Sequence, residues 1–483
     1  MPKHFFPHQY QVTAIAEGLR KLYLALFLDP GLGKTVIVLW ILRRLQKQKK
    51  VKSLLVVAPL RACYSTWPKE PKKWWFSHHM KVRTLHGSSK GWQLTQPADI
   101  YVINPEGLKW LFTVALKGKR TWPFQMLVVD ESGKFRNPKS KNLGILSKKL
   151  YKFMRRMILN GTPCPNSLMD LWGQYLIVDR GQEFGGKVTH YRHQYFHKAG
   201  FRGYEWRIND EEAEQRIYKR ASHMSLVMEA KDHLSIPEVT FPVRKLILPP
   251  KARKIYDGFE EDLFAYIDKH ALELKNTAVA SGACRQVCSG AMYHPLTDEE
   301  KLHPPATKDR KWHEIHDAKI EGLFDLIDEL QGKPLLIAYT FHHTRVRLEA
   351  AIKKRYKRKP LYIGSGVSPK QGVKIEDMWN AKQLHELLGQ PKSMSHSLNM
   401  QFAGGDICWF DHLWDLELYI QFCQRLARQG AIAPTRIHHL VMEDTVEEAM
   451  LSRLTLKSRK QRDFKTALQN YRLQRQKKMR QVA

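Results

Sequence analysis

Short, fully apolar runs recur through the first third of the chain, separated by longer amphipathic stretches rich in Lys and Arg. The runs Leu22–Leu28, Ser53–Ala58, Ile100–Ile103, Met126–Val129 and Met157–Leu159 predict strands, and the segments between them predict mostly helices. Strand–helix alternation with strands apolar on both faces predicts an α/β fold, a parallel sheet covered by helices on each side.

The pattern changes between Asp179 and Lys319, where aromatic and basic residues dominate and Glu211–Lys219 and Lys251–Leu274 have the charge density of exposed helices. This stretch predicts a helical insertion and an interdomain connection, with His294–Pro305 as an exposed loop. Strand-like runs return at Leu335–Tyr339, Leu361–Ile363, Ile407–Phe410 and Ile437–Val441, which predicts a second α/β domain. From Lys457 to Ala483 the chain carries ten Lys or Arg and one acidic residue, Asp463, with Phe464, Leu468 and Tyr471 at helical spacing. A helix with one docked stripe and a basic face is expected there. The expected divisions are therefore 1–178, 179–318, 319–456 and 457–483.

Charge adds a partner to this picture. The 483 residues hold 80 Lys and Arg against 47 Asp and Glu, a net +33, and a surplus of that size calls for a polyanion. Six scattered cysteines make no disulfide framework and fit a reducing compartment. Cys284 and Cys288, four apart on a helix and followed by His294 and His303, lack the tighter spacing of zinc knuckles and are expected to pack as small hydrophobes. The N-terminal MPKHFFPHQY has no apolar core of signal-peptide length, and the run Leu22–Leu28 stops at Asp29. A soluble protein of a cytosol-like compartment, with no membrane partner, is expected.

The chemistry begins at DPGLGKT, Asp29–Thr35, between the first strand and a helix. Gly31 and Gly33 let the backbone turn and aim N–H groups at phosphate oxygens, beside Leu32 and at a helix N-terminus that favours anions. Lys34 would reach the β- and γ-phosphates of ATP, and the Thr35 hydroxyl would hold Mg²⁺. Leu28 stands where the strict pattern wants glycine. At VVDES, Val128–Ser132, two carboxylates end a second apolar strand: Asp130 would hold Mg²⁺ and Glu131 would orient and deprotonate the attacking water. Neither is decisive alone, since a glycine-rich turn or an exposed acidic turn has the same residues; on strands of one sheet the two together point to phosphoryl transfer.

These segments fall in an order that resembles superfamily-two helicases, and within them the SWI/SNF-related DNA translocases. FPHQ (6–9) is similar to the element whose glutamine reads adenine, here Gln9. VVAPLRACYSTWPKEPKKW (56–74) resembles motif Ia, ADIYVINPEGL (98–108) the next strand-and-loop motif, and DESGKFRN (130–137) motif II. LNGTPCPNSLMDLWG (159–173) looks like motif III, and CRQVCSGAMY (284–293) resembles the approach to the second motor domain. PLLIAYTFHHTRVRLE (334–349), SHSLNMQFAGGDICWFDHLWDLE (395–417) and YIQFCQRLARQG (419–430) are similar to motifs IV, V and VI.

The resemblance implies two RecA-like motor domains, ATP and Mg²⁺ as ligands, and a monomeric motor on nucleic acid, double-stranded DNA first of all. It implies Thr162 and Gln421 as coupling residues and Arg425 and Arg428 as arginine fingers, which their spacing would place on one helix face. It implies Arg61, Thr340 and Asn399 as contacts to DNA, mostly phosphate. Gly133, Arg136, Ser397 and Ala431 depart from the family's histidine, lysine, glycine and glutamine, and the first of these bears on coupling more than on hydrolysis. The expected activity is nucleic-acid-stimulated ATP hydrolysis driving translocation, for remodelling of bound proteins or for branched-DNA repair or recombination. A strand-separating DNA or RNA helicase and a non-hydrolysing nucleic-acid-binding module are the alternatives.

Overall fold

The computed structural model describes residues 2–119, 121–199, 205–234, 237–270, 274–394 and 398–482. The chain forms two compact units, Met1–Ser235 with Lys457–Ala483, and Ile236–Leu456.

The first unit is built on strands β1 (Tyr23–Leu28), β2 (Leu54–Val57), β3 (Val82–Thr84), β4 (Ile100–Ile103), β5 (Met126–Asp130) and β6 (Arg155–Asn160). A hairpin of β7 (Phe196–Ala199) and β8 (Glu205–Ile208) follows, then β9 (Ser225–Met228). All but the hairpin make one parallel sheet in the order β3-β4-β2-β5-β6-β1-β9. Helix α1 (Gln9–Arg20) precedes β1, and α2 (Lys34–Lys47) follows it. The apolar runs became strands because both sheet faces are covered: Leu24–Leu28 and Leu54–Val57 are fully buried.

The second unit repeats the architecture. Strands β10 (Val239–Thr240) and β11 (Val243–Leu246) lead into a short β12 (Ala291–Tyr293) and β13 (Trp312–Glu314) hairpin, then β14 (Leu335–Ala338), β15 (Leu361–Ile363), β16 (Glu386–Gly389), β17 (Asp406–Trp409) and β18 (Thr435–Met442). Its parallel sheet runs β10-β18-β17-β14-β16-β15, with β11 also on β18. The helices Pro250–His270 and Leu274–Ser289 precede the β12–β13 hairpin.

The expected divisions are redrawn in three places. The first unit extends to Ser235, beyond 178, because β9 pairs in register with β1, Ala25 opposite Ser225. Three apolar residues, Leu226, Val227 and Met228, inside a basic, helix-rich stretch made too little pattern to show a strand. Residues 236–318 are not a separate layer, since β10 and β11 join the second sheet. The C-terminal helix runs Val446–Val482 without a break, and from Lys457 onward it belongs to the first unit. Phe464 and Leu468 are buried in that unit's core as the stripe required, while the Tyr471 side chain lies outside the described residues.

The expected loop at His294–Pro305 contains one helical turn, Asp298–Leu302, capped by the Thr297 hydroxyl. Cys284 and Cys288 are fully buried among Leu248, Tyr256 and Met442, and among the described residues no group of His, Cys, Asp and Glu is arranged for a metal. No described helix is long and apolar enough to cross a membrane.

Candidate nucleotide site

Between β1 and α2 the loop Asp29–Gly33 turns on Gly31 (φ +93°) and Gly33 (φ +77°), backbone conformations that strain any residue with a Cβ. At Gly33 a Cβ would also fall 2.7 Å from Nε2 of Gln11. Lys34 opens α2, and its ammonium donates to the Leu28 carbonyl at 2.8 Å. Leu28, where glycine was looked for, is fully buried and contributes that carbonyl. Burial lowers the Lys34 pKa, and the carboxylates of Glu131, Asp130 and Asp29 oppose the shift. A lysine in a glycine turn with three carboxylates around it is arranged for a polyphosphate carrying its own cation.

Asp130 ends β5. Its Oδ2 accepts from the indole N–H of Trp67 at 3.0 Å, and its Oδ1 accepts from the Glu131 amide at 3.1 Å. Burial raises the Asp130 pKa, while Trp67, Lys34 and the Glu131 amide work against it. Glu131 sits in the left-handed region at φ 52°, the sharp turn that separates the two carboxylates. Each Asp130 oxygen retains a second lone pair after these bonds. Together with the Thr35 hydroxyl, in the first turn of α2, this donor set fits Mg²⁺, which takes few protein ligands and completes its shell from phosphate and water.

The glutamine that reaches this loop is Gln11, not the expected Gln9. Gln9 is exposed at the first turn of α1. Gln11 is buried, donates from Nε2 to the Leu32 carbonyl at 3.3 Å and accepts from the His8 amide at 3.0 Å. The helical stripe Gln11, Ala14, Ile15 and Gly18, which is the buried face of α1, was the signal that could have chosen between them.

Thr162 is tied to motif II through a buried polar network. Its amide donates to Asn160 Oδ1 at 3.0 Å, and Asn160 Nδ2 donates to Gln174 Oε1 at 2.9 Å. The same oxygen accepts from the Ser132 hydroxyl at 2.7 Å, and Gln174 Nε2 donates to the Pro163 and Asp170 carbonyls. Gly133, the departure in motif II, is buried beside this network. Nothing in the sequence pattern singled out Gln174, whose partners come together only through the helix Leu171–Asp179.

A last contribution comes from the far end of the chain. Lys465 donates its ammonium to Asp29 Oδ1, while Asp29 Oδ2 accepts from the Ala230 amide at 3.0 Å. Arg61, in the short helix Leu60–Tyr64, is half-buried.

In the second unit, the helix carrying Gln421 ends at Cys423, so Arg425 and Arg428 lie just past it rather than on its face. They are gathered by shared partners instead: both donate to the Leu398 carbonyl, at 3.0 and 3.4 Å. Arg428 also donates to Asn399 Oδ1 at 2.8 Å, and burial lowers its pKa against the pull of Glu376. Motifs V and VI thus meet at Asn399, which is exposed. Gln421 is buried and donates to Glu417 at 3.3 Å. The Thr340 hydroxyl is buried and its amide is held by Asp411 at 2.7 Å, so it is not presented at the surface. Ser397 lies outside the described residues.

The profile of the SNF2-related domain matches residues 20–288, more than half of the chain. The chain belongs to the SNF2-related family. That membership makes it an ATP hydrolase of the helicase-like kind, with the loop Asp29–Thr35 and motif II on the matched span. Among relatives, protein p41 of Acyrthosiphon pisum secondary endosymbiont phage 1 is 32% identical over 467 residues, covering 93% of this chain and 96% of its own length. The helicase/translocase YwqA of Bacillus subtilis (strain 168) is 21% identical over 436 residues, 87% of this chain but 44% of YwqA. The chain therefore spans nearly all of the phage protein and under half of the bacterial one. The SWI2/SNF2 ATPase core of Sulfolobus solfataricus, solved with double-stranded DNA, aligns over 97% of this chain and 95% of its own at 18% identity and a TM-score of 0.42.

Proposed function

We propose that this SNF2-related ATPase couples hydrolysis to movement along double-stranded DNA. The observation that carries the nucleotide half is Lys34 held in a glycine turn among Asp29, Asp130 and Glu131. Backbone N–H groups and Lys34 bind the β- and γ-phosphates, and Gln11 braces the loop at Leu32. Thr35 and Asp130 are the residues to hold Mg²⁺, which when bound neutralises charge on the phosphates. Glu131 orients the attacking water and accepts its proton. Arg425 and Arg428 are proposed to stabilise the charge developing on the γ-phosphate, a task suited to a planar, permanently charged group. Thr162, Gln421 and the Gln174 network are proposed to relay the nucleotide state.

A nucleic-acid track is supported by the net +33, and duplex DNA within that class by the family's kinship with helicase/translocase proteins. Arg61 and Asn399 are proposed phosphate contacts, which give tracking without sequence choice. Thr340 would serve that role only through its backbone. Remodelling of bound proteins or processing of branched DNA would follow from such movement.

The test measures ATPase stimulation by duplex DNA, single-stranded DNA and RNA in parallel, with displacement of a third strand from duplex as the readout of movement. Stimulation by duplex with third-strand release is expected. Stimulation by single strands or RNA alone would overturn the duplex assignment, and stimulation that survives Lys34→Ala would overturn the phosphate assignment.

A further inference from the structure

Helix α2 starts at the phosphate loop and buries Val36, Ile37, Ile41, Leu42 and Leu45 in the first unit. Its opposite stripe, spaced i, i+3, i+4 and i+7, reads Trp40, Arg43, Arg44 and Lys47. This stripe forms one wall of a cavity of about 420 Å³, closed on the other side by Trp75 and its neighbours, with no carboxylate anywhere on its lining. Among the described ion pairs none involves Arg43, Arg44 or Lys47. The Arg44 guanidinium lies 5.4 Å from the Trp40 ring centre. Trp40 is held in place by Phe5 at 5.4 Å and Phe76 at 4.7 Å, while Trp75 is 60% exposed and, among the described rings, stacks on His4 alone.

Cations near the end of a helix complement its dipole, and that alone accounts for Arg44 and Lys47. It does not account for Arg43, for a concave wall of rings, or for an indole left in water. Rings interleaved with three cations and no acid match a ligand with flat faces and a phosphate backbone. In a duplex the faces of the bases are occupied by their neighbours, so a ring lying flat on Trp75 must come from an unpaired nucleotide. The cavity has room for about one such nucleotide, whose flanking phosphates would meet Arg43, Arg44 and Lys47.

We propose that this cavity is a binding site for single-stranded nucleic acid, separate from the nucleotide site at the other end of α2. It would let a duplex motor engage an unpaired strand, as at a gap, tail or branch. The inference goes beyond the proposed function and does not depend on it, because strand capture requires no ATP.

The test is fluorescence anisotropy of a labelled twelve-residue oligothymidylate, without nucleotide, on the full chain and on two variants. Trp75→Ala is expected to weaken binding by about tenfold, the loss of one stacked base. Arg43→Ala/Arg44→Ala/Lys47→Ala is expected to weaken it further and to flatten the log–log salt slope by about 2, for three lost phosphate contacts on a single strand. Basal ATPase and the thermal unfolding midpoint should be unchanged in both, which shows that they fold. Unlabelled oligouridylate as competitor distinguishes DNA from RNA as the source of the strand. Unchanged oligothymidylate affinity in both variants would overturn the proposal. So would competition by thymidine monophosphate as effective as by the oligomer, which would make the cavity a small-molecule site.

Discussion

Lys465 and Asp29, 436 residues apart in sequence, form a part-buried ion pair at the edge of the phosphate loop. Asp29 is fastened on its other oxygen by the Ala230 amide, so the loop is anchored at once by the C-terminal helix and by the segment after β9. Phe464, one residue earlier, packs against Phe27 of β1 and Tyr218. The last helix is therefore part of the first unit's core and borders its site.

Removing the Lys465 ammonium leaves a half-buried carboxylate without its counter-ion. Lys465→Met is expected to destabilise the first unit by about 3 kcal/mol, and to raise the KM for ATP more than it lowers kcat. Denaturant unfolding and steady-state kinetics measure both. In a double-mutant cycle with Asp29→Asn, the two changes should cost less together than their sum.

Gln11 and Gln9 separate cleanly by substitution. Gln11→Ala removes the brace on the Leu32 carbonyl and is expected to raise the KM for ATP by up to about tenfold, the worth of one buried hydrogen bond. Gln9→Ala, at an exposed position, should leave the kinetics as they are.

Gln174→Ala strands the Ser132 hydroxyl and the Asn160 amide in the interior. A loss of about 1–3 kcal/mol in stability is expected for each unsatisfied group. If the network relays nucleotide state, the ratio of DNA-stimulated to basal ATPase falls as well. Basal rate and stimulation measured on the same preparation separate the two effects.

The second unit carries a fully buried imidazole, His343. Burial lowers its pKa to about 4, with Arg347 and His342 acting in the same direction and Asp411 opposing them. The unfolded chain takes up this proton near pH 6.5, while the folded one resists until about 4. The stabilisation is thus complete above 6.5 and is lost as pH falls from there through 4. Between pH 7.5 and 4.5 this one group should cost on the order of 2–3 kcal/mol. Denaturant midpoints of wild type and His343→Gln at the two pH values should differ in slope accordingly.

Arg428→Ala is expected to leave ATP binding intact and abolish turnover, read by equilibrium nucleotide binding beside hydrolysis. Normal turnover would remove Arg428 from the catalytic set.

The sheet strands were legible because burial on both faces writes itself as a continuous apolar run, and Ile100–Ile103 and Leu361–Ile363 matched residue for residue. The phosphate loop was legible because only glycine tolerates φ near +90° at 31 and 33, and because Lys34 and Asp130 are irreplaceable in their chemistry. Strands β9 and β16 were not, since Ser225–Met228 opens on a polar residue and Glu386–Gly389 holds only two large apolar side chains, Leu387 and Leu388.

The sequence by itself determined two α/β sheets, a polyphosphate loop, a pair of carboxylates and a basic chain that calls for a polyanion, because each is a local matter of periodicity, backbone freedom or charge. Only the tertiary structure decided that Gln11 rather than Gln9 touches the loop, that Gln174 ties Ser132 to Thr162, and that the chain's last helix returns to clasp Asp29 through Lys465. These are contacts between segments that the chain separates, and which polar groups meet is settled only when the surrounding core has packed.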